Sequence, residues 1–223
     1  MMTLKKGKSF RYFYLASKIN FLKNMLDRYE ATKMFLTVLS DSSNQSMDAE
    51  ILNNFLELGI QLLEGGNPKI QKNIYNYFKT FQRSEVLFSK LYSLITTHGN
   101  RIRNINLSSN KDNTRMDNFI DEFSQFGPVL LENTLRLLQL FTEGHYLEIQ
   151  NYLRYQSQSR NNYDMVAAII ELLRSYLNRM DQANYESMMR CLDTLAEFVQ
   201  VVSPSKLLLR RIGTLSRKPN GFD

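Results

Sequence analysis

Glu143 and His145 flank Gly144 in the stretch Leu138 to Tyr155, LQLFTEGHYLEIQNYLRY, where one helix ends and the next begins. A carboxylate at the mouth of so tight a turn is placed for a hard cation. Calcium, however, takes about six to eight oxygen ligands, and the acid nearest in sequence is Glu148. Asp112 to Glu122 lacks the sixth-position glycine of an EF-hand loop. On its own spacing, Glu143 is a solvated acid at a helix end.

The other reactive residue types lead to structural roles. Glu64 to Lys69, EGGNPK, offers two glycines and a lysine at a helix start, but a P-loop needs a preceding strand and a second, differently spaced glycine before Lys-Ser/Thr. A helix-ending turn with a cap fits better. His98, His145 and the single Cys191 are too far apart for a zinc site of ordinary spacing. Cys191 stands four residues before Leu195 and reads as a small hydrophobe on an apolar face, with a nucleophilic pairing to His145 the minor alternative. There is no nucleotide fingerprint and no nucleophile elbow, so the chain reads as non-enzymatic.

The elements that must hold these residues are helices. Ile51, Phe55, Leu58 and Leu62 follow i, i+4, i+7, i+11, and Gly65-Gly66 then stops the helix, since glycine adopts the left-handed conformation at little cost. Asn67 caps the next helix with Pro68 at its first position, and Ser46 and Ser84 are the expected caps of the helices on either side. Phe21, Met25, Met34 and Leu39 are core candidates in the helical stretch 10–40. In the second half Gly127-Pro128 is expected to break and restart a helix carrying Leu131, Leu135 and Leu138. A helix from Asn162 to Leu177, apolar on much of its circumference, is expected to be central. The last, near Asn184 to Val201, carries Met188, Leu192, Leu195 and Val199 at helical spacing. Alternation of the strand type is absent.

The Glu-Gly turn and the Ile-Gln helix that follows it occur twice: Glu64-Gly65 and Ile70-Gln71 return as Glu143-Gly144 and Ile149-Gln150, 79 residues on. That offset equals two helical repeats of about 40 residues, as in armadillo and HEAT arrays. The expected fold is all-α, an armadillo/HEAT-like α-solenoid of about eight helices. Its expected divisions are a basic lead at 1–17, a helical repeat block at 18–97, a polar linker at 98–118, a second helical domain at 119–202 and a basic tail at 203–223.

The net charge of +6 over 223 residues belongs to the two ends. Residues 1–18 and 206–223 each carry five Lys and Arg, and between them 18 basic residues face 21 acidic ones. A body without basic excess has no dedicated nucleic-acid surface, leaving the basic tails to contact acidic partners. One cysteine permits no internal disulfide and fits a reducing compartment. No apolar run approaches the roughly 18 residues of a membrane span, and no apolar core of a secretory signal follows the first lysines.

LLEGGNPKIQ (62–71), SEVLFSKLY (84–92), LRLLQLFTEGHYLEIQNYLRYQ (135–156), NNYDMV (161–166) and LDTLAEFVQ (192–200) occur in this order. Together they resemble the cytosolic α-solenoid of the inositol trisphosphate receptor and ryanodine receptor family of calcium-release channels, especially its RIH-associated domain, over residues 18–202. The resemblance implies a segment coupling ligand-sensing domains to a pore, at the cytosolic face of an endomembrane and in contact with channel subunits. It also implies that Glu143, with His145 as its neighbour, contributes to an activating calcium site. In that family the second carboxylate comes from a helix further downstream, so the implied site here is partial. The tail LLLRRIGTLSRKPNGFD has no identified counterpart in the family. The alternative is a free armadillo-like adaptor or structural subunit of an unrelated multiprotein assembly.

Overall fold

The structure, a computed structural model, describes residues 3–41, 48–80, 83–108, 122–177 and 182–199. Every regular element among them is a helix: α1 (Thr3–Arg28), α2 (Ala31–Leu39), α3 (Ala49–Leu63), α4 (Pro68–Thr80), α5 (Ser84–Ser108), α6 (Glu122–Thr142), α7 (Leu147–Arg154), α8 (Met165–Leu177) and α9 (Gln182–Val199). The all-α, solenoid-like architecture expected of the repeated sequence is present. α3 packs on α6 and α6 on α9, making one layer, while α5 packs on α8.

The 79-residue offset is therefore one unit of three helices, not two of two. α3, α4 and α5 return as α6, α7 and α8, and α9 begins a third unit. The length comes from the 25-residue α5 and from 109–121, which separates the units. α5 runs on to Ser108, so the first part of the expected linker at 98–118 is helical; 109–118 lies outside the described residues. The expected basic lead at 1–17 is helical from Thr3, and the tail at 203–223 lies outside the described residues.

Local chemistry explains the boundaries. The Asp48 carboxylate, not Ser46, caps α3, accepting from the Glu50 N–H at 2.9 Å; Ser46 lies outside the described residues. Asn67 caps α4 as expected, its Oδ1 accepting from the N–H of Lys69 and of Ile70 at 3.1 and 3.3 Å. Ser84 is not a cap. It is the first helical residue of α5, and its hydroxyl donates to the Phe78 carbonyl at 3.1 Å, closing the α4–α5 joint. α6 passes through Gly127-Pro128 without the expected break. Proline removes one N–H from the ladder near the helix start, a loss that the long apolar face behind it offsets.

One core joins both halves, from Phe35 on α2 to Phe198 on α9. At its centre the Phe78 ring lies 5.0 Å from Phe88, 5.6 Å from Phe141 and 5.6 Å from Tyr152, centroid to centroid, tying α4 to α5, α6 and α7. The Tyr152 hydroxyl donates to the Phe78 carbonyl at 2.9 Å. At Gly59 α3 comes close to its neighbours: a Cβ there would sit 2.9 Å from Leu137 Cδ1 and 3.0 Å from Phe35 Cε2. α8 lies between α5 and α9 with Met165 and Ile169 fully buried, but Ile170 and Leu177 are exposed, so it buries one face rather than the whole circumference expected of a central helix.

Several expected core positions are exposed. Phe21 and Met34 are 60% and 50% accessible, and Ile51, Leu192 and Val199 lie outside as well. On α3 the buried face is Leu52, Leu56, Ile60 and Leu63; on α9 it is Met188, Cys191, Thr194 and Phe198. In both helices an apolar residue beside the true face satisfies the same spacing rule.

Candidate functional site

The two Glu-Gly turns have the same backbone. Gly65 and Gly66 have φ 80° and 65°, and Gly144 and His145 have φ 74° and 66°. The Gly66 N–H donates to the Leu63 carbonyl at 3.0 Å, and the His145 N–H to the Thr142 carbonyl at 3.1 Å. Residue for residue, the second turn repeats the first with histidine in a left-handed position held by glycine before.

The recurring Ile-Gln word has a structural reason. Gln71, buried at the start of α4, donates its Nε2 to the carbonyls of Leu140 and Glu143 at 3.1 and 2.8 Å. Gln150, buried at the start of α7, donates its Nε2 to the Glu197 carbonyl at 2.8 Å. Each glutamine satisfies the terminal carbonyls of the next layer helix, which have no partner inside their own helix. The ends of α6 and α9 are thereby pinned with a glutamate on each.

Around these ends lie Glu64, Glu143 and Glu197, with Lys23 and Arg136. Arg136 donates to Glu64 Oε1 at 2.6 Å and to Gln139 Oε1 at 3.0 Å. Lys23 Nζ donates to the Glu64 carbonyl at 2.5 Å. The Glu143 side chain lies over the first turn, its Cδ 3.8 Å from where a Cβ on Gly66 would stand. Glu143 Oε2 and Glu197 Oε2 are both buried and have no hydrogen-bond partner among the described residues. Burial raises the Glu143 pKa above its ordinary value; Arg136 and Lys23 oppose the rise, while the negative charges of Glu64 and Glu197 add to it.

Glu143 is partly buried, whereas His145 is exposed. Glu197 is the residue that sequence reasoning missed, although the word LDTLAEFVQ contains it. The signal was masked because the apolar spacing of that helix was followed without its end. As donors for calcium, two carboxylates that each keep one buried oxygen free of hydrogen bonds are of the right type, hard oxygen ligands. They supply at most about four of the six to eight oxygens the ion takes. Among the described residues, no group of three or more His, Cys, Asp and Glu is placed to hold a metal.

The remaining candidates resolve as structure. Cys191 is fully buried, and burial beside Glu132 pushes its thiol up to about 12, so it is a packing residue rather than a nucleophile at neutral pH. His98 belongs to α5, not to a linker, with its ring 6.1 Å from Tyr176 on α8; burial and then Arg101 lower its pKa.

A profile of the family described as RyR and IP3R Homology associated matches residues 127–205. Over that stretch the chain is similar to the family. The matched stretch takes in most of α6 and all of α7 to α9, and so contains both Glu143 and Glu197. The resemblance drawn from the sequence reaches back to residue 18, and the three-helix unit α3 to α5, which lies before the matched stretch, has the same layout as α6 to α8. Among the described residues, no helix is long and apolar enough to cross a membrane.

Proposed function

We propose that this chain is a non-enzymatic cytosolic coupling segment related to intracellular calcium-release channels. It works by helix-to-helix contact with channel subunits at the face of an endomembrane, and Glu143 and Glu197 form its cation-responsive element. The observation that carries the second part is the pair of buried, unpartnered carboxylate oxygens at the ends of two successive layer helices. Two such groups repel, and one oxygen of each has been moved out of water without a hydrogen bond in return. A bound calcium ion would place a positive charge in direct contact with both. Gln71 and Gln150 fix the backbone beneath the two glutamates, so a change in their repulsion acts on the α6–α9 contact rather than on a loose side chain. His145 stands in this reading as the neighbour of Glu143 by resemblance, outside the pair.

Calorimetry with calcium chloride tests the cation element. The expected result is weak binding by the isolated chain, with a dissociation constant on the order of 10⁻⁴ to 10⁻³ M. Glu143→Gln and Glu197→Gln should each reduce it at least about tenfold. Tight stoichiometric binding would overturn the partial-site view, and binding indifferent to both substitutions would remove the pair from it. Affinity purification from native cells tests the coupling role. Channel subunits in the eluate support it, and a soluble assembly without them supports the adaptor alternative.

A further inference from the structure

α1 meets the body through polar groups and turns its apolar side away. Lys23 donates to the Glu64 carbonyl at 2.5 Å, Asn67 Nδ2 to Asn24 Oδ1 at 3.0 Å, and Asn73 Nδ2 to Asp27 Oδ2 at 2.8 Å. Leu15, Ile19, Leu22, Leu26 and Tyr29 are left between 44% and 79% accessible. Their spacing, i, i+4, i+7, i+11, i+14, is the alternating four-and-three step of a helix seam that packs knobs into holes.

α9 carries the same pattern at the other end of the helix order. Tyr185, Met189, Leu192, Ala196 and Val199 are exposed at i, i+4, i+7, i+11, i+14, while Cys191, Thr194 and Phe198 fill the buried face. α1 packs on α2 and α4, and α9 on α6 and α8, so neither seam is covered by another of the described helices. Solenoids ordinarily close their ends with a polar outer face; the first and last of the described helices each show an apolar one.

We propose that these seams are the two halves of one interface, α1 of one copy packing along α9 of a second copy, so that chains join head to tail. Charge selects this pairing over like-with-like. Along the seam α1 carries Lys18, Lys23 and Arg28 against Asp27, whereas α9 carries the exposed Glu186 and Asp193 against Arg190. Two copies of α1 would oppose basic to basic, and two of α9 acidic to acidic. The exposed fractions of the ten seam residues amount to roughly 1,000 Å² buried in all, near the lower limit of a specific interface, so the association is micromolar rather than nanomolar. The contact is heterologous and leaves an unused seam at each end.

Sedimentation velocity of the 223-residue chain, from about 5 to about 200 µM to bracket that affinity, should show mass rising above the monomer with concentration. Leu22→Glu on α1 and Leu192→Lys on α9 should each abolish the rise, with circular dichroism confirming unchanged helix content. Equimolar mixing of the two variants should then restore a dimer and nothing larger, because one junction can form and both outer ends are blocked. If either variant loses helix content, Ile19→Ser and Met189→Ser replace them at the same seams. A wild-type chain monomeric throughout overturns the proposal. So does association that survives in one variant alone, which would mean a like-with-like seam or none of this kind, and so does a mixture that stays monomeric.

Discussion

The turns at Glu64-Gly65-Gly66 and Glu143-Gly144-His145 share a backbone and differ in how their carboxylates are satisfied. Glu64 is half exposed and answered by Arg136 at 2.6 Å, with Lys23 on its carbonyl. Glu143 has one oxygen buried without a partner, and its nearest like charge beyond the first turn comes from α9. The first turn also uses glycine at both left-handed positions, whereas the second places histidine at φ 66°. One turn is thus relaxed and paired, and the other carries backbone strain and a buried carboxylate oxygen without a hydrogen bond. Strain and an unsatisfied oxygen persist where surrounding packing overrides them, which here is the clamp of Gln71 on the end of α6.

The largest effect should come from the joint between the two units. Phe78→Ala removes the ring that contacts Phe88, Phe141 and Tyr152, and is expected to cost about 3–5 kcal/mol in urea unfolding. A cost below about 1 kcal/mol would mean that the units are stable without their shared aromatic cluster.

A smaller effect separates the two turns directly. Gly66→Ala meets only ordinary contact with Glu143 at 3.8 Å, so its cost is the left-handed backbone, about 1–2 kcal/mol. His145→Gly relieves the same strain and should stabilise by about 1 kcal/mol, less what glycine loses in the unfolded chain. Thermal unfolding of both variants should therefore move in opposite directions. Movement in the same direction would break the equivalence of the turns.

Much of this frame was legible before any coordinates. Asn67-Pro68 and the repeated Glu-Gly and Ile-Gln words depend on local capping chemistry, and they mark the helix boundaries correctly. Which side of α1 faces inward was not legible, because Asn24 and Asp27 bind side chains of α4 and the turn before it, and spacing alone assigns the apolar stripe to the core. Pro128 misleads for a similar reason: propensity argues for a break, and packing of Leu130, Leu131 and Leu135 carries the helix through. The candidate site was half legible. Glu143 stood out by its turn, but Glu197 approaches it only through the stacking of α9 on α6, a tertiary fact with no sequence spacing of its own.

The smallest effect concerns Glu143 as a titrating group. Its pKa is raised in the folded chain above the ordinary value of 4.5, first by burial and then by the charges of Glu64 and Glu197, with Arg136 and Lys23 opposing. The folded protein therefore holds this proton more tightly than the unfolded chain, and stability falls as pH rises from the ordinary value through the folded one. Glu143→Gln removes that loss. Relative to wild type, the variant should gain melting temperature at pH 7 and gain less or nothing at pH 4, measured without divalent cations. Arg136→Gln should move the Glu143 titration higher still in a carboxylate NMR series, since it deletes the larger of the two opposing charges. The corresponding Glu64→Gln should give no gain at pH 7, because Glu64 already has its guanidinium partner and the substitution leaves Arg136 without one. Equal gains from the two glutamines would erase the distinction between the turns and, with it, the reason to regard the second as a site.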